Sequence, residues 1–221
     1  MAEGRGRKVR RRIAGAAADA ISERGLGGAS MREVAERSGV SKSLIHYYFR
    51  GKEELLAEVV SALEDEVDDF WRRAVQDEDD PFERFVADVQ ALCDLYFDRP
   101  KFWELLLELF VASRRNPKLK PAAKRLIGRL VSELRMEAEA TAGKLPVPSP
   151  IPARDAATMV AALMYGLGLM HLVDGRDPVP ALRAFVLTSL MAAGLTYVLA
   201  GQEPPLDRLF ALAQEFPRNR S

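Results

Sequence analysis

The stretch that decides the fold is residues 30–49, SMREVAERSGVSKSLIHYYF. Ser30 stands three residues before Glu33, which is the spacing of a helix capping box. Gly39 supplies a turn with positive φ, which other residues adopt only with strain, and Ser41 is a good cap for a second helix. Two short helices joined in this way form a helix-turn-helix, whose second helix can enter the major groove of DNA. An ordinary helical hairpin is the alternative interpretation.

Small and apolar residues predict how the two helices pack. Ala35 lets the second helix cross closely over the first, and Val34, Val40 and Ile45 are expected to fill the wedge between them. Phe49, at the end of the second helix, is expected to join the core.

Charge is unevenly distributed along the chain, although the 32 basic and 32 acidic residues sum to zero. Residues 1–52 hold 12 Lys/Arg against five Asp/Glu, and residues 53–221 hold 20 against 27. A basic head on an acidic body indicates that one end meets a polyanion, and phosphate contacts supply most non-specific affinity for DNA. Six basic residues between Arg5 and Arg12 predict either a flexible arm that follows phosphates or enters a minor groove, or a disordered tail that adds affinity.

Composition argues against several classes of protein. The single cysteine, Cys93, cannot form an intrachain disulfide, and one Cys with two His does not make a usual structural zinc site. The sequence offers no glycine-rich phosphate loop, metal-spaced cluster or nucleophile–base pair that can be named. We therefore predict no enzyme, no metal and no cofactor. A small helical enzyme is the competing class. Retention on DNA or heparin would distinguish a DNA-binding protein from such an enzyme.

Helix start and stop signals recur along the whole chain and predict an all-α fold. Asp80-Pro81 and Asn116-Pro117 place a capping side chain before a proline at the first helical position. Residues 144–152, KLPVPSPIP, hold four prolines in nine and are expected to be an extended linker. The predicted helices are 8–24, 30–37, 41–49, 52–76, 81–98, 100–115, 118–142, 153–174, 179–200 and 205–215.

Residues 39–55 read GVSKSLIHYYFRGKEEL. This stretch closely resembles the signature of the tetracycline-repressor (TetR) family, roughly G-V-S-x-x-x-L-Y-x-H-F-x-x-K-E-x-L, and the resemblance extends over about residues 9–60. It departs at His46, where the family more often has Tyr, and at Tyr48, where His is frequent. The resemblance implies an N-terminal three-helix helix-turn-helix DNA-binding domain, residues 1–52, followed by a larger helical ligand-binding and dimerisation domain, residues 53–221.

Position within the helix-turn-helix assigns roles. Residues at the start of the recognition helix face the bases, where a lysine can donate to a guanine edge and a tyrosine can pack on a thymine methyl. The candidates are Lys42, Ser43, His46 and Tyr47, with a partly buried packing role as the alternative for His46. Four more positions resemble the family's phosphate contacts, which fix the register on DNA without reading sequence. They are Ser30, Ser41, Tyr48 and Lys52.

Two stretches without formal charge, apart from a possible one on His171, are residues 156–173 and 184–200. Helices carrying them are candidates for a dimer surface, where Gly166, Gly168, Ala192, Ala193 and Gly194 would permit close approach. Two helices from each subunit would form a four-helix bundle with a two-fold axis, as the last long helices do in the resembled family. Burial within one subunit is one alternative. The two stretches are also just long enough to span a bilayer. A membrane hairpin with a basic cytoplasmic end is therefore a second alternative.

Aromatic side chains are frequent between residues 81 and 115, and methionines follow downstream. A helical cage lined in this way suits a mostly apolar ligand, and the resemblance implies an inducer pocket between the central helices. Plain core packing is the alternative. The predicted ligand contacts are Phe97, Trp103, Phe110, Met164 and His171.

The sequence thus predicts a sequence-specific transcriptional regulator of double-stranded DNA. We expect a homodimeric repressor, released from a palindromic operator by a small, largely apolar inducer that shifts the population of conformations. Asp19 and Glu23 interrupt the stretch where a signal peptide would need an apolar core, so we expect a cytoplasmic protein.

Overall fold

The computed structural model describes residues 2–74 and 80–217, apart from the side chains of residues 2–5, 68, 70–74, 81, 92, 93, 95–98, 100 and 215. Every regular element in these ranges is helical, which confirms the predicted all-α fold. The elements are α1 (Ala2–Gly28), α2 (Met31–Ser38), α3 (Lys42–Tyr48), α4 (Lys52–Ala74), α5 (Pro81–Asp98), α6 (Pro100–Arg115), a 3₁₀ turn (Pro117–Leu119), α7 (Lys120–Ala142), α8 (Ala153–Asp174), α9 (Val179–Leu199) and α10 (Leu206–Glu215).

The basic N-terminal segment is helical, so the expectation of a flexible arm or a disordered tail was wrong for the described residues. Helix α1 begins at Ala2 instead of residue 8. Arg7, Lys8, Arg11 and Arg12 recur at helical spacing and are all exposed, so the helix buries none of their charges. Helix α1 is kinked at Gly25, whose φ of 70° and ψ of 167° are not helical, close to the predicted helix end.

The chain divides into two compact units. The first comprises residues 1–69 and 101–127, and the second comprises residues 70–100 and 128–221. Polar contacts join α6 to α1 in the first unit: Lys101 Nζ lies 2.6 Å from Asp19 Oδ1, and Glu108 Oε1 accepts from the Leu26 amide at 2.7 Å. These two compact units do not test the predicted functional division into residues 1–52 and 53–221, which stays a prediction.

The core of the first unit contains the residues predicted to join the two helices of the helix-turn-helix. Val34, Ile45 and Phe49 are buried, the last two completely, whereas Val40 is half-buried. Ser38 is buried as well, and its hydroxyl donates to the Val34 carbonyl at 2.5 Å, which offsets the cost of burying it.

Side-chain caps and one left-handed glycine set the boundaries of α2 and α3. Ser30 Oγ accepts from the Glu33 amide at 3.2 Å, and Ser41 Oγ accepts from the Leu44 amide at 3.2 Å. Gly39 ends α2 with a φ of 64°, which is the left-handed conformation predicted for this turn. These contacts satisfy helix-end amides that would otherwise lack partners.

The second unit packs α5 and α10 against α9. The rings of Phe82 and Tyr197 lie 6.3 Å apart, and those of Phe85 and Phe185 lie 5.8 Å apart. A Cβ at Gly194 would lie 3.1 Å from Leu209 Cδ1 of α10. The close approach at Gly194 therefore serves packing within one subunit, which was the alternative to a role between subunits.

Candidate nucleic-acid interface and ligand-binding helices

Helix α3 presents one face to solvent and buries the other. Ile45 is completely buried, whereas Lys42, Ser43, His46 and Tyr47 are all exposed, Tyr47 to 80%. These four residues occupy positions i, i+1, i+4 and i+5, which share one side of a helix. The structure thus brings the four predicted base-reading residues together on one surface, and His46 does not have the buried packing role.

Arg10 of α1 holds the inner side of α3 in place. Its Nη1 donates to the Tyr48 carbonyl at 3.1 Å, and its Nη2 lies 2.6 Å from Glu58 Oε2 of α4. The guanidinium also lies over the Phe49 ring, 4.6 Å from the centroid. The hydrogen bond to Glu58 outweighs desolvation and raises the pKa of Arg10. Sequence reasoning assigned Arg10 only to the run of basic residues. The available signal for a structural role was its position three residues before Ile13, which is buried.

The predicted phosphate contacts have structural roles as well. Lys52 Nζ donates to the Leu26 carbonyl at 2.7 Å and to the Ala29 carbonyl at 2.6 Å, at the end of α1. Ser30 and Ser41 are the caps of α2 and α3. Tyr48 is half-buried, and its ring meets the Tyr47 ring edge-on at 5.2 Å. Phosphate contact by these four residues stays a prediction.

A cationic surface lies on α1, where Arg7, Lys8, Arg11 and Arg12 are exposed. Because the segment is helical, these charges are carried on a fixed scaffold. Together with Lys42 and Arg50, which are also exposed, they give the first unit the positive potential that attracts a polyanion.

The predicted ligand contacts are distributed over both units. Trp103 is buried on α6 and meets the Phe102 ring edge-on at 5.5 Å, and Phe110 is half-buried on the same helix. In the second unit, Met164 is buried on α8 and His171 Nδ1 lies 3.0 Å from the Arg176 carbonyl. Phe97 belongs to α5, but its side chain lies outside the described residues. Their grouping in one pocket stays a prediction.

The second unit contains a half-buried aspartate, with one buried carboxylate oxygen, that sequence reasoning missed. Asp88 lies on α5 between the buried Val86 and Val89, and its Oδ1 atom is buried without a hydrogen-bond partner among the described residues. Arg84 instead forms a bidentate pair with Glu137, at 2.6 and 2.9 Å. Burial and then the charge of Glu137 raise the pKa of Asp88 to about 7, against the effect of Arg84. An aspartate within an apolar helical face was the available sequence signal.

Helices α8 and α9 are long and apolar enough to cross a membrane by length and composition. Each nevertheless buries one side, through residues such as Ala161 and Met164 of α8 and Val186 and Leu190 of α9. The remaining apolar surface is therefore one-sided, unlike that of a helix surrounded by lipid.

The sequence matches two protein-family models that together cover most of the chain. Residues 13–59 match the model for bacterial regulatory proteins of the tetR family, and residues 81–194 match the C-terminal domain of BetI-type transcriptional repressors. The chain belongs to the TetR family. The HTH-type transcriptional regulator BetI of Escherichia coli strain K12 is 30% identical over an alignment of 189 positions, which covers 81% of this chain and 89% of that protein.

Solved structures share the fold of this TetR-family regulator. A transcriptional regulator from Saccharomonospora viridis in complex with choline has a TM-score of 0.63 at 23% identity, over 96% of this chain and 97% of that one. The transcriptional regulator FadR from Bacillus subtilis in complex with stearoyl-CoA has a TM-score of 0.66 at 17% identity, over 79% of this chain and 94% of that one.

Family membership decides between the predicted classes of function. The TetR-family regulator is a ligand-responsive, DNA-binding transcriptional repressor, as predicted, and not an enzyme. The membrane hairpin is not favoured. Within the described part of the chain, no three His, Cys, Asp or Glu side chains are grouped so as to hold a metal ion.

Exchange of Lys42 or Lys52 for alanine distinguishes base reading from backbone contact. Lys42→Ala should change the ranking of DNA sequences, by about 1–3 kcal/mol at one position. Lys52→Ala should weaken all sequences about equally, reduce the salt slope by roughly one unit and lower the melting temperature, because the Leu26 and Ala29 carbonyls lose their donor. Gel shifts at several salt concentrations and thermal melts measure these effects.

The control is Lys124→Ala, at an exposed position on α7, which should leave DNA binding unchanged. Equal losses on operator and scrambled DNA for both Lys42→Ala and Lys52→Ala, with an unchanged salt slope, would contradict the assignment.

Proposed function

We propose that this TetR-family repressor acts in the cytoplasm as a homodimer and reads a palindromic operator with the exposed face of α3 from each subunit. A single helix-turn-helix contacts only one half-site, and a two-fold dimer places two recognition helices in successive major grooves. The observation that carries the proposal is an uncovered apolar surface on α8 and α9.

The uncovered surface follows both helices at helical spacing. On α9 the exposed stripe includes Leu187, Met191 and Leu195, the last two 61% and 56% exposed. On α8, Met159 and Val173 are exposed as well. Apolar surface of this extent on a soluble protein marks an interaction site, and two such helices per subunit suit an isologous four-helix interface. The exposed Ala192 lies beside this stripe and would permit close approach.

Replacement of Leu195 by glutamate should separate the subunits. The two-fold axis would place both new carboxylates in one interface, where both would have to be desolvated. Sedimentation velocity at micromolar concentration should give twice the chain mass of 24.5 kDa for the wild type and the single mass for Leu195→Glu. Val111→Glu, at an apolar α6 position that is also 56% exposed, is the matched control and should remain dimeric. A monomeric wild type would rule out the proposed bundle.

We further propose that the inducer is a small organic cation with an apolar body. Two neighbours with the same fold were solved in complex with choline, a small cation, and with stearoyl-CoA. These complexes represent two classes of ligand. Asp88 favours the cationic class, because its buried Oδ1 has no hydrogen-bond partner in the part of the chain that the structure describes, and a ligand cation would compensate its charge. Phe85, three residues earlier on α5, lies on the same side of the helix and packs against Phe185. A carboxylate beside aromatic rings suits an alkylated ammonium group.

Choline binding should increase as the pH rises through about 7, where Asp88 ionises. At pH 8 choline should raise the melting temperature, whereas its neutral isostere 3,3-dimethyl-1-butanol should not. Asp88→Asn should bind choline roughly tenfold or more weakly at pH 8. At pH 5.5 the wild type should behave like this variant, because protonated Asp88 carries no charge. Calorimetric titration measures both quantities.

The matched control is Asp155→Asn, at an exposed position on α8, which should bind choline like the wild type at both pH values. Unchanged affinity of Asp88→Asn, or equal affinity for the neutral isostere, would contradict a cationic inducer at this position.

A further inference from the structure

The first unit contains an apolar groove of about 470 Å³ that is separate from the predicted inducer contacts. Its apolar lining includes Leu56, Ala57 and Val60 of α4, Leu119 and Ala122 around the start of α7, and Leu26 at the end of α1. The volume lies within the range of pockets that take small organic molecules. The lining of the groove contains none of the five residues predicted to contact the inducer.

The α4 wall of the groove is a continuous helical stripe. Glu53, Leu56, Ala57 and Val60 line it at spacings of three and four residues, which share one face of a helix. Facing residues on the α7 side, Lys118, Ala122 and Arg125, follow similar spacing. The groove is therefore walled by regular structure on two sides.

Charge at the groove is predominantly positive. Among the described residues that line it, Lys52, Lys118 and Arg125 are cations and Glu53 is a carboxylate, and a second carboxylate, Glu64, pairs with Arg125, so the surplus is one positive charge. Lys118 Nζ lies 2.7 Å from Glu53 Oε1, in a pair whose side chains are each 71% exposed. Such an exposed pair contributes little stability, and an ammonium has three donors, so Lys118 can bind a second anionic group.

Carbonyl groups at the end of α1 hold Lys52 at the groove. Lys52 Nζ already donates to the Leu26 and Ala29 carbonyls, which fixes the ammonium beside the apolar lining and uses two of its three N–H groups. Arg125 Nε pairs with Glu64 at 3.0 Å. The cations are thus held by the fold at the edge of the groove.

We propose that this groove is a second ligand site, which binds an amphipathic organic anion: a flat or branched apolar body with one carboxylate or sulfonate. The apolar lining would cover the body, and the excess of cations at the rim would bind the anionic group. A cation or a neutral apolar molecule lacks this electrostatic match.

The probe pair for the test is 8-anilinonaphthalene-1-sulfonate and N-phenyl-1-naphthylamine, which share one aromatic skeleton with and without the anion. Fluorescence titrations of the full chain measure both affinities. Two substitutions address the site: Ala57→Trp fills the groove, and Lys118→Gln removes a rim cation. Two matched controls lie outside the groove at exposed positions: Ala62→Trp on α4, like Ala57, and Lys124→Gln on α7, which follows the turn that carries Lys118.

We expect Ala57→Trp and Lys118→Gln each to weaken sulfonate binding about fivefold or more relative to the matched control, and Lys118→Gln to leave binding of the neutral probe unchanged. Equal sulfonate affinity in Ala57→Trp and Ala62→Trp would overturn the site. Equal affinity in Lys118→Gln and Lys124→Gln would overturn the anionic class. If circular dichroism shows that Ala57→Trp is unfolded, Lys118→Gln decides alone, because an exposed Lys→Gln change leaves the core intact.

Discussion

The exposed face of α3, which we propose reads DNA, depends on the attachment of α3 to the helices beneath it. Helix α3 has seven residues, which is too short to be stable in water by itself. It is held by the completely buried Ile45 and Phe49, by the cap at Ser41, and by Arg10, which joins the Tyr48 carbonyl to Glu58 and the Phe49 ring. Because these contacts use only the inner side of the helix, the outer side can carry exposed polar and aromatic groups that serve no packing purpose.

Specific recognition requires a second constraint, which is a fixed distance between two copies of α3. The proposed source of that distance is the pair of apolar stripes on α8 and α9. These stripes remain in solvent within one chain although the opposite sides of the same helices are buried. A repressor can then respond to a ligand by a shift between two arrangements of the pair, and the shift is limited by the ligand's different affinity for each.

Local signals in the sequence predicted most of the fold. Serine and aspartate caps, prolines at helix starts and Gly39 gave the bounds of α2 to α10 to within two residues in the described ranges, because each acts through its own neighbours in the chain. Arg10, Lys52 and Gly194 were harder to assign. Their partners, Glu58, Leu26 and Leu209, lie between 15 and 48 residues away along the sequence, and one sequence does not show which distant helices meet.

The candidate site was likewise predictable only where it depends on residues that are close together in the sequence. A helical period placed Lys42, Ser43, His46 and Tyr47 on one face, and the structure leaves that face open to solvent. Asp88 escaped notice because its significance arises from burial beside the Arg84–Glu137 pair, which is a tertiary property. The predicted helix 8–24 left out residues 2–7, which belong to α1, because a run of like charges carries no strong helix signal of its own.

Selection of bound duplexes from a random DNA pool by the purified protein reports both what α3 reads and how the two copies are spaced in the proposed dimer. A two-fold dimer predicts an enriched inverted repeat whose half-sites lie about one helical turn, roughly 10 base pairs, or a multiple of it apart. Enrichment of a single unrepeated motif, or no enrichment over the starting pool, would contradict it.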